Sequence, residues 1–155
     1  MLGGCGIYSF TGASISPDIN SIKIDYFENQ SAIINAQLSQ QFTQRLRDKF
    51  INETNLVVTD NAAKYDVQLK GIITTYNITS IASQANETAA QSRLTIGVSV
   101  EYINTKNELQ NYTKSFTRFV DFSNAAVFES IEKQLVDEIN VLLVDDIFNR
   151  TFANW

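Results

Sequence analysis

The sequence predicts an α+β fold in which a mixed sheet of about four strands carries two helices on one of its faces. Two segments repeat apolar residues every three or four positions, as amphipathic helices do, and four segments alternate apolar and polar residues, as half-buried strands do. The elements follow the order β-α-β-β-β-α, which contains one β-α-β crossover followed by hairpins. Because Pro17 is the only proline and no Pro/Gly-rich linker divides the chain, we expect a leading segment over residues 1–20 and a single domain over residues 21–155.

The first half of this domain is predicted to be a strand followed by a helix. Apolar and polar residues alternate over residues 22–26, which is typical of a strand with one buried face. A helix from about residue 36 to residue 53 follows, because apolar side chains recur there at every fourth position. These side chains are Leu38, Phe42, Leu46 and Phe50. We expect Leu46, at the centre of the stripe, to be buried against the sheet.

Three further strands are predicted in the middle of the chain. Residues 66–78 form a long strand, and Gly71 is predicted to mark a bulge because the alternation changes face there. Residues 94–102 alternate without a break. A turn over residues 104–108 then reverses the chain into the second strand of a β-hairpin. One face of that strand carries Tyr112, Phe116, Val120 and Phe122.

A long helix from about residue 125 to Asn149 ends the predicted fold, since the apolar period becomes helical there. Its inward side is predicted to carry Phe128, Ile131, Leu135, Ile139, Leu142 and Phe148, with Leu135 buried against the sheet. Its outward side is predicted to carry Glu132, Lys133, Asp137, Asp145 and Asp146. With both helices on one face, the opposite sheet face is left uncovered, and its polar side chains favour water or a polar partner. These are Gln68, Lys70, Thr95, Ser99, Thr113, Ser115 and Thr117.

Composition argues against several functional classes. The formal net charge of -5 and the pI of about 4.6 argue against nucleic-acid binding, which needs clustered cations. The chain has no histidine, so Ser-His-Asp triads, Cys-His pairs and zinc sites are not expected, and no metal or other cofactor is expected. The single cysteine cannot form an internal disulfide, and no apolar run reaches the roughly 18 residues that span a bilayer. Attachment to a membrane would therefore need another device.

The strongest local motif is Leu2-Gly3-Gly4-Cys5, a lipobox pattern with a branched apolar residue three places before a cysteine and small residues between them. This spacing suits cleavage just before Cys5, whose thiol would carry diacylglycerol and whose new amine would be acylated. The protein starting at Met1 would then be soluble with a free thiol. Gly6 stands where an aspartate would favour the inner membrane, so an outer-membrane location is expected. The alternative is a chance match, because no basic and apolar signal-peptide regions precede the motif.

Three segments carry a resemblance to the LptE family of outer-membrane lipoproteins. They are Cys5-Gly6-Ile7-Tyr8, residues 38–54 (LSQQFTQRLRDKFINET) and residues 86–98 (NETAAQSRLTIGV), the last leading to the strand 116–122 (FTRFVDF) and the acidic final helix. The resemblance covers nearly the whole chain. It implies a non-catalytic protein that plugs the β-barrel of an LptD-like partner, helps to assemble it and takes part in lipopolysaccharide transport. It also implies a lipid anchor in the periplasmic leaflet of the outer membrane.

The sequence departs from this family in the region implied to contact lipopolysaccharide. The resemblance implies basic side chains for lipid A in the loop before the third strand and near the start of the last helix, but residues 79–92 and 122–132 contain no lysine or arginine. If lipid A phosphates are bound, the nearest cations by sequence are Arg93, with Lys70 and Arg118 as neighbours on adjacent strands, because a phosphate needs charge-assisted donors. Direct lipopolysaccharide binding is therefore left open.

The connection over residues 80–92 is predicted to bind the partner. It is long for neighbouring strands, which need only about two to five residues, and long loops in compact domains are usually functional or disordered. Its side chains suit a polar lumen because few of them carry charge. The candidate contact residues are Ser83, Gln84, Asn86, Glu87, Thr88 and Gln91. The alternative is a flexible surface loop without a partner.

Two other functions are compatible with a chain of this composition. An enzyme would need a general acid–base pair, for which Asp66, Asp121 and Glu129 are the candidates, but acidic residues on strands and helices are usually solvated. We therefore expect no enzyme. A free periplasmic lipoprotein that binds a lipid or a peptide is the second alternative, and a deep apolar cavity between sheet and helices would favour it.

Overall fold

The computed structural model describes residues 15–33, 35, 37–61, 63–81 and 90–153. These parts of the chain contain six strands and two α-helices. The strands are β1 (Ser21–Ile24), β2 (Glu28–Asn29), β3 (Val57–Thr59), β4 (Val67–Ile81), β5 (Gln91–Asn104) and β6 (Tyr112–Ser123). The helices are α1 (Leu38–Glu53), between β2 and β3, and α2 (Phe128–Phe148), after β6. A 3₁₀ turn (Glu108–Gln110) lies between β5 and β6, and a π-helical turn (Asn149–Ala153) extends α2.

All six strands join in one mixed sheet. Its order is β3-β1-β4-β5-β6, and β2 pairs with β4 as well. β1 runs parallel to β3 and β4, whereas β4, β5 and β6 are antiparallel neighbours. The predicted α+β class and the β5–β6 hairpin are confirmed. The sheet has more than the predicted four strands because β2 and β3, with two and three residues, are too short to show an alternating pattern.

The bulge in β4 lies at Thr74, so the prediction that Gly71 marks it is wrong. The register between β4 and β5 shifts between Ile73 and Thr75, while Gly71 keeps a regular partner. The extra residue turns Tyr76 to the buried side, where it is 3% exposed. The change of face that the sequence shows therefore occurs three residues later than the glycine.

Gly71 is needed for close packing. A Cβ at this position would lie 2.7 Å from Cε2 of Phe27 and 2.0 Å from the carbonyl oxygen of Ser99. Only a residue without a side chain leaves room for the Phe27 ring, which is fully buried over this strand. The glycine thus fixes how the segment between β1 and β2 packs on the sheet.

The apolar stripes of both helices are largely buried. Leu38, Phe42, Leu46 and Phe50 of α1 are all fully buried, as their spacing predicts. In α2, Leu135 is 6% exposed and is also buried as predicted. The prediction for Leu142 is wrong, because it is 39% exposed and its neighbour Leu143 is buried instead. Two adjacent leucines satisfy the helical period almost equally well, so the pattern alone could not decide between them.

One end of the core, where α2 ends, is built from aromatic rings. Phe50 of α1 packs against Phe148 and Phe152, with ring centroids 5.1 and 5.6 Å away. Tyr102 of β5 stacks on Tyr112 of β6 at 5.5 Å. Tilted and edge-on rings at these distances stabilise beyond the area that they bury. This cluster joins α1, the end of α2 and the β5–β6 hairpin into one body.

Candidate partner-binding surface

The side of β4, β5 and β6 that faces away from the helices has no cover within the described residues. We call it the open face. The register places its residues in transverse rows, because side chains paired directly across antiparallel strands point to the same side. The open face includes Lys70, Ile72, Thr75, Asn77, Thr79, Arg93, Thr95, Gly97, Ser99, Glu101, Thr113, Ser115, Thr117, Phe119 and Asp121. Short hydroxyl side chains make up its centre, as predicted from the sequence.

Gly97 makes the centre of the open face flat. It pairs with Thr75 on one side and with Thr117 on the other. A Cβ at Gly97 would lie 3.1 Å from Oγ1 of Thr75 and 3.2 Å from Oγ1 of Thr117, so the two threonines close over the glycine. A partner surface would therefore meet the hydroxyl groups of these two threonines, which both donate and accept hydrogen bonds.

The charges on the open face are paired with one another. Lys70 lies 3.6 Å from Glu101 on the next strand. Arg93 donates two hydrogen bonds to Asp121, at 2.7 and 3.2 Å, and its guanidinium stacks 3.8 Å from the ring centre of Phe119. The hydrogen bond from Arg93 holds the pKa of the Asp121 carboxyl below its usual value. The open face therefore presents hydroxyls and matched ion pairs, with no net charge from these four groups.

The structure does not bring the three predicted phosphate ligands together. Lys70 of β4 lies opposite Glu101 of β5, and Arg93 lies eight residues before Glu101 on β5. At roughly 3.3 Å per residue, Lys70 and Arg93 are therefore about 26 Å apart along the sheet. Arg118 lies on the helix side of β6, where it donates to Asp146 of α2 at 2.7 and 2.8 Å. Each of the three cations is already paired with a carboxylate.

The predicted partner-binding loop is only partly within the described residues. Gln91, the first residue of β5, is exposed and lies opposite Ile81 and Ser123. The other candidates, Ser83, Gln84, Asn86, Glu87 and Thr88, lie outside the described residues, as does the lipobox cysteine Cys5.

The return of this loop into β5 is tied to the connection between β6 and α2. Asn124 donates its backbone N–H to the carbonyl of Ala90 at 3.0 Å, and the Ser92 hydroxyl donates to the Asn124 side chain at 2.6 Å. Ser92 is buried in this contact. The start of β5 therefore lies beside the connection that leads into α2.

The carboxylates weighed for an enzyme have structural contacts. Asp66 Oδ2 accepts the backbone N–H groups of Asn20, at 2.7 Å, and Ser21, at 3.1 Å. The Asn20 bond is the main reason why the pKa of Asp66 is lowered. Asp121 is bound to Arg93 at the opposite end of the sheet, and Glu129 is exposed in the first turn of α2. Lowered pKa values keep Asp66 and Asp121 charged, which is the reverse of what a general acid needs.

A contact that the sequence did not predict joins β4 to α2. Glu132 was expected to face outward, but it is half-buried and accepts hydrogen bonds from the Tyr76 hydroxyl and from Nδ2 of Asn35, the latter at 3.0 Å. Burial, followed by the bond to Glu132, raises the pKa of Tyr76. The bulge that turns Tyr76 inward creates this contact, so no helical pattern could have revealed it.

A polar groove runs between the outer sides of α1 and α2. It has a volume of about 820 Å³ and is lined by glutamines of α1 and by two interhelical ion pairs. These pairs are Arg45 with Asp137, at 3.4 Å, and Lys49 with Asp145, at 3.0 Å. The layer between sheet and helices is filled by fully buried side chains such as Leu46. The groove is thus not the deep apolar cavity that would favour a lipid-binding function.

Two further properties concern membranes and metals. Neither described helix is both long enough and apolar enough to cross a bilayer. Over the described ranges, no three Cys, Asp or Glu side chains come together as a metal ion would require.

A family model described as LptE, lipopolysaccharide-assembly, matches residues 19–151 of the chain. This match covers every strand and both α-helices. A search of curated proteins gave no match.

Several solved structures have a similar fold. The solution structure of an uncharacterised lipoprotein B from Nitrosomonas europaea matches with a TM-score of 0.54 and 14% identity, over 84% of this chain and 80% of that one. A hypothetical protein from Chlamydia trachomatis matches with a TM-score of 0.53 and 8% identity, over 88% and 99%. PelC from Paraburkholderia phytofirmans matches with a TM-score of 0.52 and 9% identity, over 88% of each chain. At these identities the likeness shows the fold alone.

Proposed function

Because the chain belongs to the LptE family, described as lipopolysaccharide-assembly, we propose that it is a non-catalytic outer-membrane lipoprotein that plugs and helps to assemble an LptD-like β-barrel. In this role it takes part in the transport of lipopolysaccharide to the outer membrane. The single observation that supports the barrel contact is the open face. A sheet side that neither described helix covers, and that carries hydroxyls and internally matched charges, suits a partner whose surface is polar.

The lumen of a wide β-barrel is such a surface. Lumen-facing residues of transmembrane barrels are polar and hydrated, while the apolar residues face the lipid. The hydroxyls of Thr75 and Thr117 around Gly97 can exchange water for hydrogen bonds to luminal side chains. Pairing Arg93 with Asp121 leaves no unmatched charge there to be desolvated at the contact.

We assign two further contacts to this function. The loop over residues 80–92 would engage the barrel beside the open face, through Ser83, Gln84, Asn86, Glu87, Thr88 and Gln91. A lipid on Cys5 would hold the domain at the periplasmic leaflet. Mass spectrometry of protein expressed from the full gene is expected to find diacylglycerol on Cys5, and an unmodified N-terminus that extends upstream of it would contradict the anchor.

Contact with lipid A phosphates would use cations that already have carboxylate partners. Arg93 is the cation at the end of the loop, and Lys70 and Arg118 are the other candidates. A phosphate would have to displace a carboxylate from each of them, since all three are ion-paired. Arg93 alone lies beside the proposed loop contact.

Co-purification from outer membranes tests the barrel contact. The variant Asn77→Glu with Ser99→Glu adds two acidic groups to the open face and is expected to lose capture of the barrel, because unpaired charges would be buried at the contact. The matched control, Gln40→Glu with Gln44→Glu, adds the same charge to the exposed side of α1 and is expected to retain it. Circular dichroism confirms that both variants fold. Equal capture by both variants would remove the open face from the interface.

A further inference from the structure

The cations of the chain are almost all paired. The sequence contains 12 lysine and arginine residues, and all of them lie within the described ranges. Nine have a carboxylate oxygen within 4.0 Å. Lys64, Lys114 and Arg150 have no such partner among the described residues. Two of these three, Lys114 and Arg150, line the same surface hollow.

Lys114 and Arg150 line one surface hollow of about 580 Å³, where the edge strand β6 passes the C-terminal end of α2. We call it the β6-edge hollow. Hydroxyl groups and one further ion pair complete its polar lining. These polar residues are Lys114, Ser115, Thr117, Arg118, Asp146 and Arg150. The hollow is separate from the predicted phosphate ligands Lys70 and Arg93, which lie on the open face.

The three cations of the hollow are held in place by neighbouring groups. The Arg150 guanidinium stacks 4.4 Å from the centre of the Tyr112 ring, whose hydroxyl is hydrogen-bonded to Thr151 at 2.7 Å. Lys114 Nζ lies 5.7 Å from the ring centre of Phe116. Arg118 is fixed by its two hydrogen bonds to Asp146. Ring faces attract cations, so these positive groups are partly positioned before any anion arrives.

The hollow carries an excess of positive charge on an acidic protein. Three cations and one carboxylate leave a surplus of two positive charges, whereas the whole chain has a net charge of -5. The carbonyls at the end of α2 carry about half an elementary negative charge, which is smaller than this surplus. A phosphate group brings a charge of about -1.5 to -2 and three acceptor oxygens, so it matches both the charge and the donors present.

We propose that the β6-edge hollow binds a phosphate group. Lys114 and Arg150 supply charge-assisted hydrogen bonds, and Arg118 remains bound to Asp146 while adding positive charge. The ligand class is a phosphate ester or free phosphate. This inference goes beyond the barrel contact and does not depend on it, because Lys114 and Arg118 lie on the helix side of β6 and Arg150 follows α2, whereas the barrel contact uses the open face.

A simpler account is that charged side chains on β6 protect the sheet edge from pairing with another chain. That account covers Lys114 and Arg118, which are edge-strand residues. It leaves out Arg150, which follows α2 and turns toward the same hollow. Protection of the edge also needs no excess of positive charge, because an ion pair such as Arg118–Asp146 would block strand pairing equally well.

Titration of the protein with inorganic phosphate at low ionic strength, followed by NMR, tests the site. Amide shifts are expected to concentrate at residues 112–119 and 146–151. The variant Lys114→Gln with Arg150→Gln is expected to bind phosphate at least about fivefold more weakly, because two charge-assisted bonds are lost. The control Lys64→Gln with Lys133→Gln removes the same charge from distant exposed lysines and is expected to bind as the unaltered protein does. Equal weakening in both variants, or shifts centred elsewhere, would overturn the site.

Flotation with vesicles distinguishes the sources of phosphate. Binding to phosphatidylcholine vesicles that contain phosphatidic acid, lost in the Lys114/Arg150 variant but kept in the Lys64/Lys133 control, would assign a lipid headgroup. Binding of inorganic phosphate without such flotation would assign a small soluble phosphate. Shifts at the hollow with a polyglutamate peptide but none with phosphate would overturn the proposal in favour of an acidic protein segment. If the hollow binds no phosphate in these experiments, co-purification with the barrel is still expected. The two proposals can therefore be tested separately.

Discussion

The two sides of β5 differ sharply although they belong to the same 14 residues. Toward the helices the strand presents Leu94, Ile96, Val98, Val100 and Tyr102, none more than 1% exposed. Toward the open face it presents Arg93, Thr95, Gly97, Ser99 and Glu101. Because successive side chains of a strand point to opposite sides, one segment supplies both the core and the candidate interaction surface. The fold depends on the first side and the proposed function on the second.

This difference makes the register of the sheet critical. A slip of one residue would exchange the two sides and expose the whole apolar set of β5. In β4 the single extra residue, Thr74, is what keeps Tyr76 on the covered side after the shift. Mutations on the covered side should therefore change stability with little direct effect on binding, and those on the open face should do the reverse.

The largest effect on stability is expected for Leu46→Ala on the covered side. Leu46 is fully buried between α1 and the sheet, and truncating such a leucine costs about 2 to 5 kcal/mol in free energy of unfolding. Urea denaturation followed by circular dichroism measures the loss. A change below about 0.5 kcal/mol would mean that the packing of α1 is described wrongly.

A smaller loss, of about 1 kcal/mol, is expected for Tyr76→Phe. The substitution keeps the ring on the covered side and removes only the hydroxyl that donates to Glu132. Thermal denaturation of Tyr76→Phe, Glu132→Gln and the double variant forms a cycle that isolates the pair. Additive effects of the two single changes would show that the hydrogen bond does not contribute.

Asp66→Asn is expected to reduce stability in a manner that depends on pH. The pKa of Asp66 is lowered from 3.8 in the folded protein, so its charged form stabilises the fold above that pH and the contribution is lost as pH falls through the folded value. The difference in free energy of unfolding between the unaltered protein and the variant should be largest near neutral pH. It should shrink as the pH falls below about 4. Asp48→Asn on the exposed side of α1 is the control. A gap that stays constant with pH would contradict the role of the charge.

The smallest effect on stability is expected for Thr95→Ala on the open face. Thr95 is half-buried between Asn77 and Phe119 on the neighbouring strands, and surface substitutions of this kind usually change stability by less than about 0.5 kcal/mol. Urea denaturation of Thr95→Ala beside Ile96→Ala compares adjacent residues on opposite sides. Losses of similar size would remove the contrast between the two faces.

The sequence was sufficient where one period dominated. The stripe of α1 and the alternation of β5 correctly predicted their buried residues, because many apolar positions repeat without interruption. It was insufficient where two arrangements satisfy the same pattern. Leu142 and Leu143 are equivalent for a helical period, and the face change in β4 could have been a bulge at Gly71 or at Thr74.

Contacts between distant residues could not be predicted for a different reason. The hydrogen bond between Tyr76 and Glu132 joins residues 56 positions apart. It forms because the bulge turns Tyr76 toward the helices and the rotation of α2 turns Glu132 toward the sheet. Likewise, the sequence predicts Arg118 to lie near Arg93 because the two residues are on adjacent strands. In the structure Arg118 points to the helix side of β6, whereas Arg93 points to the open face. Which carboxylate lies beside a given cation is decided only when the chain folds. The ion pairs of Lys70, Arg93 and Arg118 could therefore not be predicted from composition.

Photo-crosslinking in outer membranes tests the central claim that the open face meets the barrel. A photoreactive amino acid at Thr95 or at Thr117 is compared with the same group at Gln40 or at Gln44 on the exposed side of α1. The open-face positions are expected to give crosslinks to the barrel, and the helix positions are expected to give few. Crosslinks to the barrel from the helix positions, with none from Thr95 or Thr117, would contradict the account and place the helices against the partner.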